Sequence, residues 1–171
     1  MAAKGRSGRA NRLTGQIGEY LVAAELARYG LIATTFAGNV PHYDIVATDA
    51  KGRHVSVQVK ASNATSWQFA INRFCQIRFK GRRQIVGPPL GTPVRGLVVV
   101  MVLLRHGSSP DRFFILTWAQ LRRLLVKHHR TWLAKHDGVR PRNPKSLHSA
   151  IGISGILRFE NQWETVARHL R

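Results

Sequence analysis

PHYDIVATDAKGRHVSVQVKAS, residues 41–62, carries two short β-rich runs separated by Asp49, Lys51 and Gly52, residues of turn chemistry. In the second run Val55, Val57 and Val59 alternate with Ser56, Gln58 and Lys60. Successive strand side chains point to opposite faces, so Gln58 and Lys60 share one face. If the loop is Ala50–Gly52, Asp49 faces Arg53 across an antiparallel ladder, and counting back sets Asp44 opposite Gln58. A two-residue loop would shift the pairing and send Asp44 to the other face, so register decides whether an acid, an amide and an amine meet.

Outward from this hairpin, the sequence predicts one α/β (α+β) domain over residues 13–171, with a central mixed sheet flanked by helices. The 171 residues, 44% of them hydrophobic, suffice for one core. Leu97–Leu104, LVVVMVLL, has the length and β-branching of a strand covered on both faces. Thr14 is placed to cap a helix ending at Gly30, with Ile17, Tyr20, Leu21, Ala24 and Ala27 recurring at helical spacing. Strands are expected at Leu31–Phe36, Trp67–Ile71, within Phe74–Phe79 (strand or helix) and at Arg112–Leu116. Thr117 with Gln120 reads as a capping box for a helix reaching about Lys135, with Trp118, Leu121, Leu125, His128 and Trp132 along one side. A Gly- and Pro-rich loop is expected at Gly87–Gly96, a basic loop at Asp137–Ser149, and a short last helix over Asn161–Leu170. The catalytic core is expected over about 14–104, and a basic helical region over about 117–171.

Charge narrows the partner. The 27 Lys and Arg against 8 Asp and Glu give a formal charge of +19, which repels itself unless a polyanion is present, so nucleic acid is expected rather than a membrane. Residues 1–12, with Lys4, Arg6, Arg9 and Arg12, offer no apolar residue larger than alanine after Met1 and read as a flexible basic arm. Arg9, Arg12, the cluster Lys80, Arg82 and Arg83, and the helical Arg122, Arg123, Lys127 and Arg130 are the expected phosphate contacts. Cys75 is the one cysteine, so internal disulfides and a thiolate zinc cluster are excluded, and a reducing cytoplasm is the expected location. Neighbouring His128 and His129 point apart on a helix, which is poor geometry for shared metal binding.

The candidate chemistry is concentrated in four residues. Asp44 can hold a hard cation through oxygen, Gln58 can add its carboxamide oxygen, and the Val59 carbonyl can complete the set. Lys60 can orient a water or neutralise charge growing on a phosphorane-like transition state. Glu19 supplies a second carboxylate if its helix packs over the hairpin. The plainer reading makes Asp44 a strand-entry turn residue, Gln58 and Lys60 a solvated face, and Glu19 an acid favoured near a helix start.

The order helical Glu19, strand Asp44, then hydrophobic-Gln58-hydrophobic-Lys60 resembles the PD-(D/E)XK nuclease superfamily, over about residues 14–62. The resemblance implies a restriction-endonuclease-like core and cleavage of DNA, less often RNA, with magnesium or manganese. It also implies that Glu19, Asp44, Gln58 and Lys60 act in catalysis, with Asp44, Gln58, Glu19 and the Val59 carbonyl around the metal. Pro41 stands three residues before Asp44 rather than directly before it. Gln58 occupies the position usually held by Asp or Glu, as in Mrr-like and some homing-endonuclease branches, which removes one negative charge from the cation site. A non-catalytic nucleic-acid-binding protein on this fold is the alternative. A homodimer would let a one-site chain cut both strands of a duplex.

Overall fold

A five-stranded mixed sheet organises the chain, in the order β1 (Ile32–Thr35), β2 (Ile45–Thr48), β3 (His54–Ser62), β7 (Val98–Leu103), β8 (Arg112–Thr117). The computed structural model describes residues 3–36, 40–105 and 107–171, with side chains from residue 8 onward. Only β3 and β7 run parallel; the other pairs are antiparallel. Two smaller antiparallel sheets join β4 (Ser66–Ala70) to β9 (His148–Gly152), and β5 (Cys75–Lys80) to β6 (Arg83–Pro89).

The run LVVVMVLL forms the middle of the core, as its composition predicts. Every residue of β7 is buried. Strand alternation divides it between two cores. Val98, Val100 and Val102 meet Val22, Leu26, Ile45 and Val57 on one face, while Val99, Met101 and Leu103 meet Trp67, Phe114, Leu121 and Leu125 on the other. At roughly 1.5–3 kcal/mol for each large apolar side chain removed from water, this strand ties both layers to one sheet. Helix α1 (Ala3–Arg28) and the short α3 (Glu164–Ala167) cover the first face; α2 (Trp118–Ala134) and the small sheets cover the second. A helix, an antiparallel hairpin and then a parallel strand on the hairpin's inner edge make up the central mixed sheet flanked by helices expected above. None of the described helices is long and apolar enough to cross a membrane.

Helix α1 differs most from the sequence reading. It begins at Ala3, so the basic stretch expected to be a flexible arm continues the helix, and Thr14 lies inside it instead of capping it. The stretch mixes good helix formers, Ala, Lys and Arg, with two glycines, a serine and an asparagine, and a helix already nucleated by packing extends through it without paying for nucleation again. Its packed stripe is Gly18, Val22 and Leu26, whereas Ile17 and Tyr20 are about half exposed and Ala24 and Ala27 face solvent. The cause is close approach: a Cβ built on Gly18 would stand 2.5 Å from Ala61 Cβ and 3.4 Å from Val59 Cγ1. A glycine at the closest contact turns the helix so that Val22 and Leu26, not Ile17 and Tyr20, meet the sheet.

Other departures are smaller. The capping box of Thr117 and Gln120 is present, but α2 buries His129 rather than His128. His129 Nε2 lies 3.2 Å from Gln84 Oε1, and Gln84 Nε2 donates to the Pro144 and Ser146 carbonyls. Those two bonds commit the amide nitrogen, so Gln84 Oε1 accepts and His129 carries its proton on Nε2. Burial, then the charges of Arg140 and His128, push the His129 pKa down to about 4. The expected loop from Gly87 begins as the end of β6, and β9 arises within and just after the expected basic loop. The last helix shrinks to α3, although Trp163 and Val166 face inward as expected. Of the loop expected before Asp44, positions 37–39 lie outside the described residues.

Candidate active site

The hairpin takes the three-residue register. Ile45 pairs with Val57 and Thr48 with His54, so Asp49 stands opposite Arg53, and the paired ladder ends at Ile45, one residue after Asp44. The turn carries this register locally. Asp49 accepts from the Lys51 and Arg53 amides at 3.0 and 2.9 Å and from Arg53 Nε at 2.8 Å, and Gly52 takes φ +78°, a region glycine enters without strain.

At the other end of β2 the chain turns at His42, whose φ of +79° is uncommon for a residue with a side chain. Asp44 then enters the ladder, its amide donating to the Val57 carbonyl at 2.9 Å. The next ladder position on β3 has no β2 backbone opposite it. There the Asp44 side chain takes over, Oδ2 accepting from the Val59 amide at 2.7 Å. Amide and carbonyl of one strand residue point to the same side, so the Val59 carbonyl faces this edge too. Asp44 therefore lies at the sheet edge, reachable from both faces, rather than simply on the Gln58 face as strand alternation alone suggests.

Both faces contribute. Gln58 and Lys60 project on the α2 side, as their parallel partners Val99 and Met101 do. The Lys60 ammonium stands 5.9 Å from the Phe69 ring centre. From the opposite side α1 brings Glu19, adjacent to the tightly packed Gly18. Glu19 and Asp44 are close enough that Asp44's charge raises the Glu19 pKa, after the larger effect of burial. Burial also raises the Asp44 pKa, against the lowering effects of the Val59 N–H bond, the Lys60 charge and the Arg73 charge.

Arg73 had no place in the sequence reading. It sits in the single 3-10 turn Ile71–Arg73 between β4 and β5, its guanidinium carbon 5.8 Å from the Trp118 ring centre. Nothing in its local sequence marks it; only the return of the chain past the hairpin brings its charge near Asp44.

The expected phosphate contacts are scattered. Arg9 and Arg12 are exposed on α1, and Lys80, Arg82 and Arg83 crowd the β5–β6 turn, where Arg83 Nε donates to the Asp137 carbonyl at 2.9 Å. Arg122 and Arg130 line a groove of about 370 Å³ with Arg123 and Lys127. They also fasten α2 to β6 and its following loop, Arg122 through the Leu90 carbonyl and Arg130 through that of Gly87. A second groove of about 530 Å³ runs from Lys60 between α1 and β4, bordered by Asn11, Thr14 and Gln68.

No family model matches this sequence, and no curated protein matches it. Two solved structures are similar in fold. A bacterial homing endonuclease shares 18% identity over 66% of this chain and 72% of its own, with a TM-score of 0.40. A Holliday junction resolvase of the archaeal hyperthermophile Archaeoglobus fulgidus shares 17% identity over 90% of this chain and 95% of its own, with a TM-score of 0.47. At these values the likeness is one of outline, and the chemistry of the site has to be argued from its own residues.

Proposed function

We propose that this chain is a metal-dependent nuclease that hydrolyses phosphodiester bonds, in DNA before RNA. The observation that carries this reading is the state of Asp44. Its carboxylate is partly desolvated, is held by one backbone N–H, has a raised pKa, and shares its surroundings with a second raised carboxylate, Glu19. Two neighbouring acids that each disfavour ionisation are what a bound cation would relieve.

The donors suit a hard cation. Asp44, Glu19, the Gln58 carboxamide and the Val59 carbonyl are all oxygen ligands, which favours magnesium or manganese over zinc. Among the described residues no three His, Cys, Asp or Glu gather as a metal cluster; the proposed set is two acids and two neutral oxygens. Bound there, the cation would polarise the scissile phosphate and acidify an attacking water. Asp44 and Glu19 hold their charge toward that position. Gln58 donates oxygen without adding charge, which limits repulsion of the phosphate. Lys60 offsets negative charge that grows on the phosphate oxygens as the water adds, and Arg73, whose charge also acts on Asp44, supplies a second positive charge. Cutting both strands of a duplex with one site per chain calls for two copies acting together.

Gln58 also favours a second reading, a nucleic-acid-binding protein whose cation site has lost an acid. Incubation with plasmid, linear, branched and single-stranded DNA and with RNA, in magnesium, manganese or EDTA, separates the two. Metal-dependent cleavage that disappears in Asp44→Ala and Lys60→Ala while binding persists supports the nuclease. Cleavage undiminished in both variants removes the site assignment.

A further inference from the structure

A cavity of about 170 Å³ lies between the C-terminal half of α2 and β9, walled by His128, Trp132, Arg140, His148, Ser149 and Gln68. No wall residue is acidic. Arg140 is half-buried, with its guanidinium carbon 4.7 Å from the Trp132 ring centre and Nη1 donating to the His148 carbonyl at 2.7 Å. Among the described residues no carboxylate pairs with it. Arg112, half-buried in the same chain, is treated differently: Glu160 grips it with both oxygens at 2.6 Å. A guanidinium held partly out of water without a counter-ion is unfavourable, and burial pushes the Arg140 pKa down accordingly.

The surroundings are held in place. Bonds from His129 to Gln84 and from Gln84 to the Pro144 and Ser146 carbonyls fix the loop before β9 against α2. The wall offers donors to an anion: the Arg140 fork, the Ser149 hydroxyl and the Trp132 indole N–H. Position gives the anion an identity. Gln68 lines this cavity and also the groove that begins at Lys60, so the two are neighbours on either side of one β4 residue.

We propose that this cavity is a phosphate-binding subsite in which Arg140 receives a phosphodiester of the same strand whose scissile phosphate lies beside Lys60. The anionic ligand follows from Arg140 itself; its assignment to a nucleic-acid strand rests on the nuclease reading. Arg140 thereby anchors the strand away from the reacting atoms, so its loss weakens binding and leaves the chemical step in place.

The test uses the full chain and a fluorescein-labelled DNA duplex, titrated in EDTA at several NaCl concentrations. For Arg140→Gln we expect binding about tenfold weaker at moderate salt and a log Kd against log salt slope reduced by about 0.9, one phosphate contact fewer. Arg140→Lys keeps the slope and loses less affinity, because charge survives but the planar fork does not. Arg168→Gln, just after α3 across the sheet, changes neither. Thermal melting verifies folding of each variant. Should Arg140→Gln fail to fold, phenylglyoxal modification of the wild-type chain, read at Arg140 by mass spectrometry, decides. Protection by duplex supports the subsite. An unchanged slope in folded Arg140→Gln, or protection by inorganic phosphate but not by duplex, overturns it. A chain that binds through Arg140 yet never cuts in magnesium or manganese refutes the nuclease reading and leaves the anchor intact. One that cuts, with Arg140 indifferent to duplex, refutes the anchor alone.

Discussion

Asp44 and Asp49 flank the same four-residue strand; Asp44 accepts a backbone N–H from β3, and Asp49 accepts those of Lys51 and Arg53 in the turn before it. Their circumstances diverge. Burial raises the Asp49 pKa, but the Arg53 side-chain and backbone bonds, the Lys51 amide and the Arg53 charge outweigh it and leave the pKa lowered. Asp44 has one amide, and burial prevails over that bond and the charges of Lys60 and Arg73. One carboxylate is satisfied by the turn it builds; the other is left with unmet demand at an open sheet edge. An acid that folding disfavours in its ionised form is the better candidate for function.

The sharpest way to break that contrast is Asp44→Asn beside Asp49→Asn. Asp44→Asn should lower cleavage on the order of a thousandfold, since a cation ligand is lost, while melting temperature at neutral pH stays level or rises. The sign follows from proton linkage. With a folded pKa above the unfolded one, the native state binds more protons between those values, so stability falls as pH rises through that window. Asp44→Asn removes this slope. Asp49→Asn should cut at close to the wild-type rate and melt lower, because its lowered pKa contributes stability present above the unfolded value and lost as pH falls through the folded one. Plasmid cleavage and melting curves across pH check both, and equal loss of cleavage in the two variants would end the distinction.

Next in size, Lys60→Met should reduce cleavage about a hundredfold with duplex binding nearly unchanged, as removal of one group stabilising transition-state charge requires. Single-turnover rates and titrations in EDTA separate the two effects. A smaller change is expected from Gly18→Ala, whose new Cβ meets Ala61. Overpacking there should cost about 1–3 kcal/mol by chemical denaturation and displace Glu19. Ala61→Gly in the same chain should restore part of both stability and cleavage, a coupling that independent sites would not show. Smallest of all, Gln58→Glu should leave magnesium affinity level or raised, measured by titration calorimetry with Asp44→Asn as the blank. A strong fall would give Gln58 a different task.

Much of the hairpin was legible because its information is local. Asp49, Lys51 and Gly52 specify a turn, and alternation from Val55 to Lys60 specifies the faces, so once the structure sets the loop at three residues the pairing of Ile45 with Val57, beside Asp44, follows by counting. The buried β7 was legible for a related reason: a run of Val and Met without polar interruption has no exposed face to offer. Helix α1 was less so, since helical spacing suits Ile17 and Tyr20 as well as Val22 and Leu26, and the choice between them lies in the contact of Gly18 with Ala61. His129 was missed in favour of His128 because its partner, Gln84, is distant in sequence.

By itself, then, the sequence determined the elements that obey short-range rules: the hairpin's turn and the alternation of its second strand, the double-sided strand, the capping box of α2 and the strongly positive charge. Tertiary structure alone decided which side of α1 meets the sheet, and with it the approach of Glu19 to Asp44. It also brought Arg73 to the site, set Asp44 at the sheet edge instead of on one face, and left Arg140 without a carboxylate. Each of these depends on contacts between segments far apart in the chain, where close packing and desolvation select among arrangements that local periodicity leaves equivalent.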